Sequence, residues 1–261
     1  MRISLAIPWS DRPGRVARAA PGVGRENSGF AAQGNARHLS AAETGFSSIN
    51  AGAKMGNDTA PFFLMSDRLH CALRAIDAAN ARDPTLEAGE PAELVYGRRM
   101  SEALAAFAPG ASEALQIAVR GQHLERWLTP RRDYPDGRSG YIAWRNAAKR
   151  RHAERVAEIM ESCGYDDAAI ARVGALVRKE RLRADAEAQT LEDVACLVFL
   201  RYYAASFAAK HPEAKVLDIL VKTQRKMSPL SRAEALDFGL PEPVLALYEL
   251  ALKAADAAPA R

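Results

Sequence analysis

The chain has 261 residues, 48% hydrophobic and 26% charged, with 36 lysines and arginines against 32 acidic residues. Such values are ordinary for a globular protein, the length suffices to bury a core without staples, and no apolar run approaches the roughly 20 residues that span a bilayer. Of the net charge of +4, residues 1–64 carry +3, so the basic character is weak evidence for nucleic-acid binding by the remainder.

Residues 1–64 show no sustained helical or strand period, and Gly, Ser, Asn, Ala and Pro are scattered through them, so they read as disordered. An Arg- and Ser-rich targeting peptide, a flexible linker, and a true start at Met55 or Met65 all fit, the last being preferred. No continuous apolar stretch follows the first arginine, which argues against a secretory signal. From Met65 the pattern turns helical. Leu69, Leu73 and Ile76 share a stripe, and Asp83-Pro84 closes this first helix because a residue before proline avoids the α region. Pro91 opens a second, with Tyr96, Met100, Leu104 and Phe107 on one face, and Pro109-Gly110 breaks it. Ser112 caps a third helix that runs to about Trp127. Leu128 to Gly140 is the least regular stretch.

A long fourth helix follows from about Tyr141 to Cys163, with Gly164 as its natural terminator, and Asp166 caps a fifth. Thr190 opens the sixth. Its segment Val194–Leu200 is apolar on every side, the signature of a helix buried all round, and residues 190–209 are taken as the central helix. Pro212, Ser228-Pro229 and Pro241 start three more. The expected fold is all-α, a single helical domain over residues 65–261 packed around that central helix. Cys71, Cys163 and Cys196 are odd in number, far apart in sequence and form no C-x-x-C pair, which argues against a disulfide framework or a cysteine zinc site and for a reducing cytoplasm.

Glycine-rich phosphate loops, H-E-x-x-H and G-x-S-x-G are all missing, so chemistry has to be sought in polar residues placed where a core prefers apolar ones. His123, beside Gln122 and one turn before Arg126 and Trp127, is explained either by a helix C-terminus or by a role in a site. His152 shares a stripe with Val156, Ile159 and Cys163. It reads as a satisfied core histidine or as half of a pair facing His123 between helices, as helical bundles build metal and ligand sites. Glu192 and Asp193 lie early in the central helix. Thr190 to Asp193 fits a capping box, and the same carboxylates can orient a histidine or complete a metal site. Glu180 is expected at an exposed helix end.

Between Arg120 and Arg155 ten basic residues stand against four acids, a local charge of +6. Trp127, Tyr134, Tyr141 and Trp144 are interleaved with them. Arg126, Arg131, Arg138 and Arg145 are candidates for bidentate recognition of phosphate or carboxylate, with Gln122 and Tyr141 beside them, whereas Lys149-Arg150-Arg151 reads as a solvated face.

Gln122-His123-x-x-Arg126-Trp127, Pro130-Arg131, Tyr134-Pro135, Arg138-x-Gly140-Tyr141, Trp144-Arg145 and His152-Ala153 together resemble the family called domain of unknown function 4202. The runs Ala75–Pro84, Gln189–Leu200 and Lys222-Thr-x-x-Lys226-Met227 fit it too, so the resemblance covers about Ser66 to Leu236. It implies no activity. A weaker likeness in fold is to the HD-type metal phosphohydrolases, which implies a divalent metal on His123, His152 and Asp193. The His-Asp dipeptide of those enzymes is missing, since Leu124 follows His123.

The leading functional expectation is a hydrolase-like enzyme acting on a small anionic, phosphate-bearing substrate, with His123, His152 and Glu192 in catalysis. The alternatives are a module that binds RNA or a nucleotide through the same basic stretch, and a helical protein-interaction domain. A pocket that gathers both histidines and a carboxylate favours the first, and a flat basic face favours RNA.

Overall fold

The computed structural model describes residues 60–182 and 184–257. The expectation of disorder for residues 1–64 therefore falls, up to residue 59, outside the described residues. Among the described residues there are ten α-helices and one two-stranded ribbon, so the all-α expectation holds. None of those helices is long and apolar enough to cross a membrane.

Helix α1 (Ala60–Asn80) is followed by a ribbon of β1 (Leu86–Glu87) and β2 (Glu90–Pro91), turned at Ala88 and Gly89, both with positive φ. Two-residue ribbon turns require that backbone. Asp83 ties the ribbon down by accepting from the backbone N–H groups of Thr85 and Glu93. Next come α2 (Ala92–Phe107) and α3 (Glu113–Gly121), the latter capped by Ser112, whose hydroxyl accepts from Leu115 N.

Helix α3 ends earlier than expected. Gly121 is needed for close packing, because a Cβ there would stand 2.7 Å from Val156 Cγ2. The chain then turns, with Glu125 in the left-handed region at φ 52°, into two short 3₁₀ turns at Arg126–Leu128 and Arg131–Asp133. Glu125 is held there by Asn80 Oδ1, which accepts from its N–H, and by Arg82, Arg151 and Arg155 around its carboxylate.

Helix α4 (Gly137–Ser162) passes so close to Pro135 that a Cβ at Gly140 would lie 1.9 Å from that residue's carbonyl oxygen. Gly164, with φ +79°, ends the helix as expected. A disulfide joins Cys163 to Cys71 on α1, which corrects the expectation of unlinked cysteines. Residues 92 positions apart in sequence are brought together by the packing of α1 on α4, a contact that sequence spacing does not reveal.

Helix α5 (Asp167–Arg178) is capped by Asp166 and ends at Lys179, again in the left-handed region at φ 57°. Glu180 lies beyond it, exposed and paired with Arg178. Helix α6 (Ala186–Val198) starts four residues before Thr190, because Asp185 supplies the cap by accepting from the N–H groups of Glu187 and Ala188. Thr190 instead bonds back to Ala186 O, and the expected Thr190–Asp193 capping box is not formed. The helix widens into a π turn over Phe199–Tyr203 before α7 (Ala204–Ala208). Helices α8 (Glu213–Gln224), α9 (Pro229–Asp237) and α10 (Glu242–Ala257) follow.

Residues 191–200 are all buried, in keeping with a central helix. Its two faces serve two apolar clusters. Leu191, Val194 and Val198 pack with residues of α1 to α5, whereas Leu197, Phe199 and Leu200 pack with residues of α7 to α10. Phe107, Tyr203 and Phe238 touch both.

Candidate functional site

Where α2, the turn after α3, α4, the end of α5, α6 and the turn after α8 meet, they line a partly open cavity of about 90 Å³. A single water needs roughly 10–15 Å³ on the same measure, so there is room for a small polyatomic group. The lining includes His123, His152 and Glu192 together with Gln122, Arg126 and Arg145.

The imidazole of His152 is 2% exposed, and its Nδ1 lies 2.7 Å from Leu124 O. A carbonyl can only accept, so Nδ1 carries the hydrogen and Nε2 the lone pair. Burial lowers the pKa to about 3, against the hydrogen bond to Leu124 and with help from the charges of Arg126 and Arg151. The ring is thus neutral throughout the physiological range. Its centroid is 6.0 Å from that of His123.

His123 lies just past the end of α3, stacked on Tyr96 with ring centroids 4.5 Å apart. Arg126 Nη1 is 3.2 Å from His123 Nε2. Because a guanidinium can only donate, Nε2 is the acceptor and Nδ1 bears the hydrogen, facing the Glu93 carboxylate at 3.8 Å. Tyr96 is itself fixed by Gln122 Nε2, which donates to its hydroxyl at 3.1 Å. The guanidinium of Arg126 also lies 5.1 Å from the Trp144 ring, and Trp144 Nε1 donates to Thr129 O. One histidine, one arginine and one tryptophan are therefore held by ring contacts as well as hydrogen bonds.

Glu192 carries the only carboxylate among the described lining residues. Lys179 Nζ is 2.5 Å from one of its oxygens and Lys226 Nζ is 3.5 Å from the other. Burial opposes its charge, but these two ammonium groups and Arg145 outweigh burial and hold the carboxyl well below the usual range. The left-handed backbone at Lys179 turns that side chain toward α6 at a conformational cost of about 1–3 kcal/mol.

Neither Lys179 nor Lys226 was legible as a site residue, and Lys149, read as part of a solvated face, also lines the cavity. It stands one turn before His152, and burial with the charges of Arg145, Lys179 and Lys226 lowers its pKa to about 8, Glu192 offsetting this in part. It makes no hydrogen bond or ion pair among the described residues.

The other sequence candidates lie elsewhere. Arg131 donates to Tyr134 O within its own 3₁₀ turn, and Arg138 is exposed in the first turn of α4. Tyr141 contacts the Trp144 ring at 5.8 Å but does not line the cavity. Asp193, 2% exposed, accepts from Gln189 Nε2 and from Ser228 N, joining α6 to the start of α9. It does not meet the two histidines in the cavity, and among the described residues no three His, Cys, Asp or Glu side chains are grouped to hold a metal ion.

With this geometry in place, a family model described as Domain of unknown function (DUF4202) matches residues 70–248. The chain is a DUF4202 protein. No curated protein and no solved structure matches it. The matched span of the DUF4202 domain contains every lining residue of the cavity, from Tyr96 to Lys226, and excludes the N-terminal segment.

Proposed function

We propose that the DUF4202 cavity binds a small phosphate-bearing anion and that the domain is an enzyme acting on it, with His123 and His152 handling protons. The observation that carries this reading is the charge of the lining: Arg126, Arg145, Lys149, Lys179 and Lys226 against the one carboxylate of Glu192. Five cations gathered around one concave space repel one another, and where they are partly buried that repulsion is less screened than between exposed charges. An anion relieves it and gains charge-assisted hydrogen bonds from guanidinium and ammonium donors.

The histidines divide the chemistry. Neutral His152, with its hydrogen committed to Leu124 O, has a lone pair on Nε2 and serves as a hydrogen-bond acceptor or weak base, not as an acid. His123 sits between a guanidinium and a carboxylate, an arrangement suited to proton transfer in either direction. The small volume and concave shape favour a small ligand over RNA, which calls for a longer basic groove with exposed rings.

Calorimetric titration of the purified protein with inorganic phosphate and with a panel of phosphate monoesters tests the reading. Binding is expected, and Arg145→Ala should weaken it by roughly 10- to 100-fold through loss of a charge-assisted contact. Absence of binding by every phosphate compound, or identical affinity in Arg145→Ala, would refute it.

A further inference from the structure

We propose that Lys149 is a nucleophilic amine, forming a reversible imine with an aldehyde or ketone that also carries a phosphate or comparable anionic group. The inference rests on the anion-binding reading above and names the kind of molecule the site would take.

Three lysines line the cavity, and there is one carboxylate to hold them. Its two oxygens are occupied, one by Lys179 and the other by Lys226. Lys149 comes third and makes no ion pair with that carboxylate. The charges that bear on it most are three cations, Arg145 one turn earlier on α4, Lys179 at the end of α5 and Lys226 after α8, with Glu192 on α6 acting against them. Next to it on the same helix face is His152, which stays neutral and adds no counter-charge.

These surroundings bring the ammonium to about 8. At pH 7 about a tenth of Lys149 is then free amine, where an ordinary lysine is well under a thousandth. Activation of a lysine by burial and by neighbouring cations is a recognised route to carbonyl chemistry. Lys179 and Lys226 are each engaged by an oxygen of the Glu192 carboxylate, which leaves Lys149 as the lining amine outside that pairing.

The step balances without any oxidant or reductant. The Lys149 nitrogen attacks the carbonyl carbon, a C–N bond forms, and the carbonyl oxygen leaves as water with the two hydrogens of the amine. The imine, once protonated, places a positive charge on the same nitrogen. The anionic group of the same ligand, held by the neighbouring arginines and lysines, stabilises that charge. A single molecule thus satisfies both the cationic lining and the unclaimed amine.

The probe is pyridoxal 5′-phosphate, which carries an aldehyde and a phosphate. Full-length protein is incubated with it, reduced with sodium borohydride so that the imine becomes a stable secondary amine, digested and mapped by mass spectrometry. One adduct per chain is expected, on Lys149, suppressed by excess inorganic phosphate and far weaker with pyridoxal, which lacks the phosphate. Its yield should rise with pH through a midpoint near 8. Lys149→Arg keeps the positive charge and should lose the adduct, its fold checked by circular dichroism. An adduct on Lys179, Lys226 or scattered surface lysines in place of Lys149 overturns the proposal. So does the absence of any adduct in protein that binds inorganic phosphate by calorimetry, which leaves the anion site standing. Failure of phosphate both to bind and to protect removes the site itself.

Discussion

Acidification offers a direct measure of His152. The imidazole is fully buried with a folded-state pKa of about 3, whereas in the unfolded chain it titrates near the usual value of about 6.5. Between these values the unfolded chain binds a proton that the folded protein excludes, so stability rises with pH across the window. The contribution is fully present above the unfolded value and is lost as pH falls below it. At pH 5 the solution is about 1.5 units below the unfolded value, and at about 1.4 kcal/mol per unit His152 alone should remove about 2 kcal/mol relative to pH 7. That figure does not depend on where the folded pKa lies, provided it is well under 5. Urea unfolding followed by tryptophan fluorescence at pH 7, 6 and 5 would compare the native protein with His152→Gln. The variant is expected to be less stable at pH 7 but to lose about 2 kcal/mol less on acidification, since Gln does not titrate and other groups contribute equally to both. Parallel pH profiles would show that His152 takes up its proton without unfolding the protein, and the derivation of a dry, neutral imidazole would then be wrong.

The two histidines should also couple. With ring centroids 6.0 Å apart, His123→Gln and His152→Gln in a double-mutant cycle of stability are expected to deviate from additivity by more than about 0.5 kcal/mol, and strict additivity would mean that they act as unrelated residues. Arg131→Ala and Arg138→Ala should leave both stability and phosphate affinity nearly unchanged, because neither lines the cavity and charges at the surface contribute at most about 1 kcal/mol; a large loss of phosphate affinity in calorimetry would extend the site to the 3₁₀ turn and the start of α4. Closing a loop of 92 residues, the Cys71–Cys163 link should contribute about 2–5 kcal/mol, so dithiothreitol should lower the melting temperature of the native protein and leave that of a Cys71→Ser/Cys163→Ser variant unmoved.

Much of the helical framework can be read from local signals. The side chains of Ser112, Asp166 and Ser228 cap the helices they precede, Gly164 ends α4, and the all-apolar run in α6 marks the central helix. These are interactions within a few residues, where sequence pattern and structure are nearly the same thing. His123, His152 and Glu192 stood out because a core rarely places such groups inward without a partner. The lysines did not stand out, for two different reasons. Lys179 and Lys226 enter the cavity from turns, where no period assigns a face, and Lys179 depends on a left-handed backbone without a glycine to announce it. Lys149 is embedded in a run with Arg150 and Arg151, and composition alone did not separate the residue facing α6 from its solvated neighbours. The expected capping box of Thr190 and Asp193 does not form because Asp185 supplies the cap, and Asp193 holds the backbone of Ser228. The disulfide was invisible for the same underlying reason as the lysines: its partners meet only when α1 packs on α4.

The two-sided central helix has a consequence for how the cavity can open. Four of the five cations come from elements of the first apolar cluster, but Lys226 arrives from the second, on the turn between α8 and α9. That turn is fastened to α6 by Gln189, which donates to Lys226 O, and by Asp193, which accepts from Ser228 N. Helices α8 to α10 act as a hasp across the site, and its staple is the first two turns of α6. Local unfolding of those helices would release Lys226, leave Glu192 with one partner and expose the cavity while the rest of the fold persists. Ligand occupancy would oppose that opening, so slow exchange of backbone amides in α8 and α9 would report on the site from the far side of the central helix.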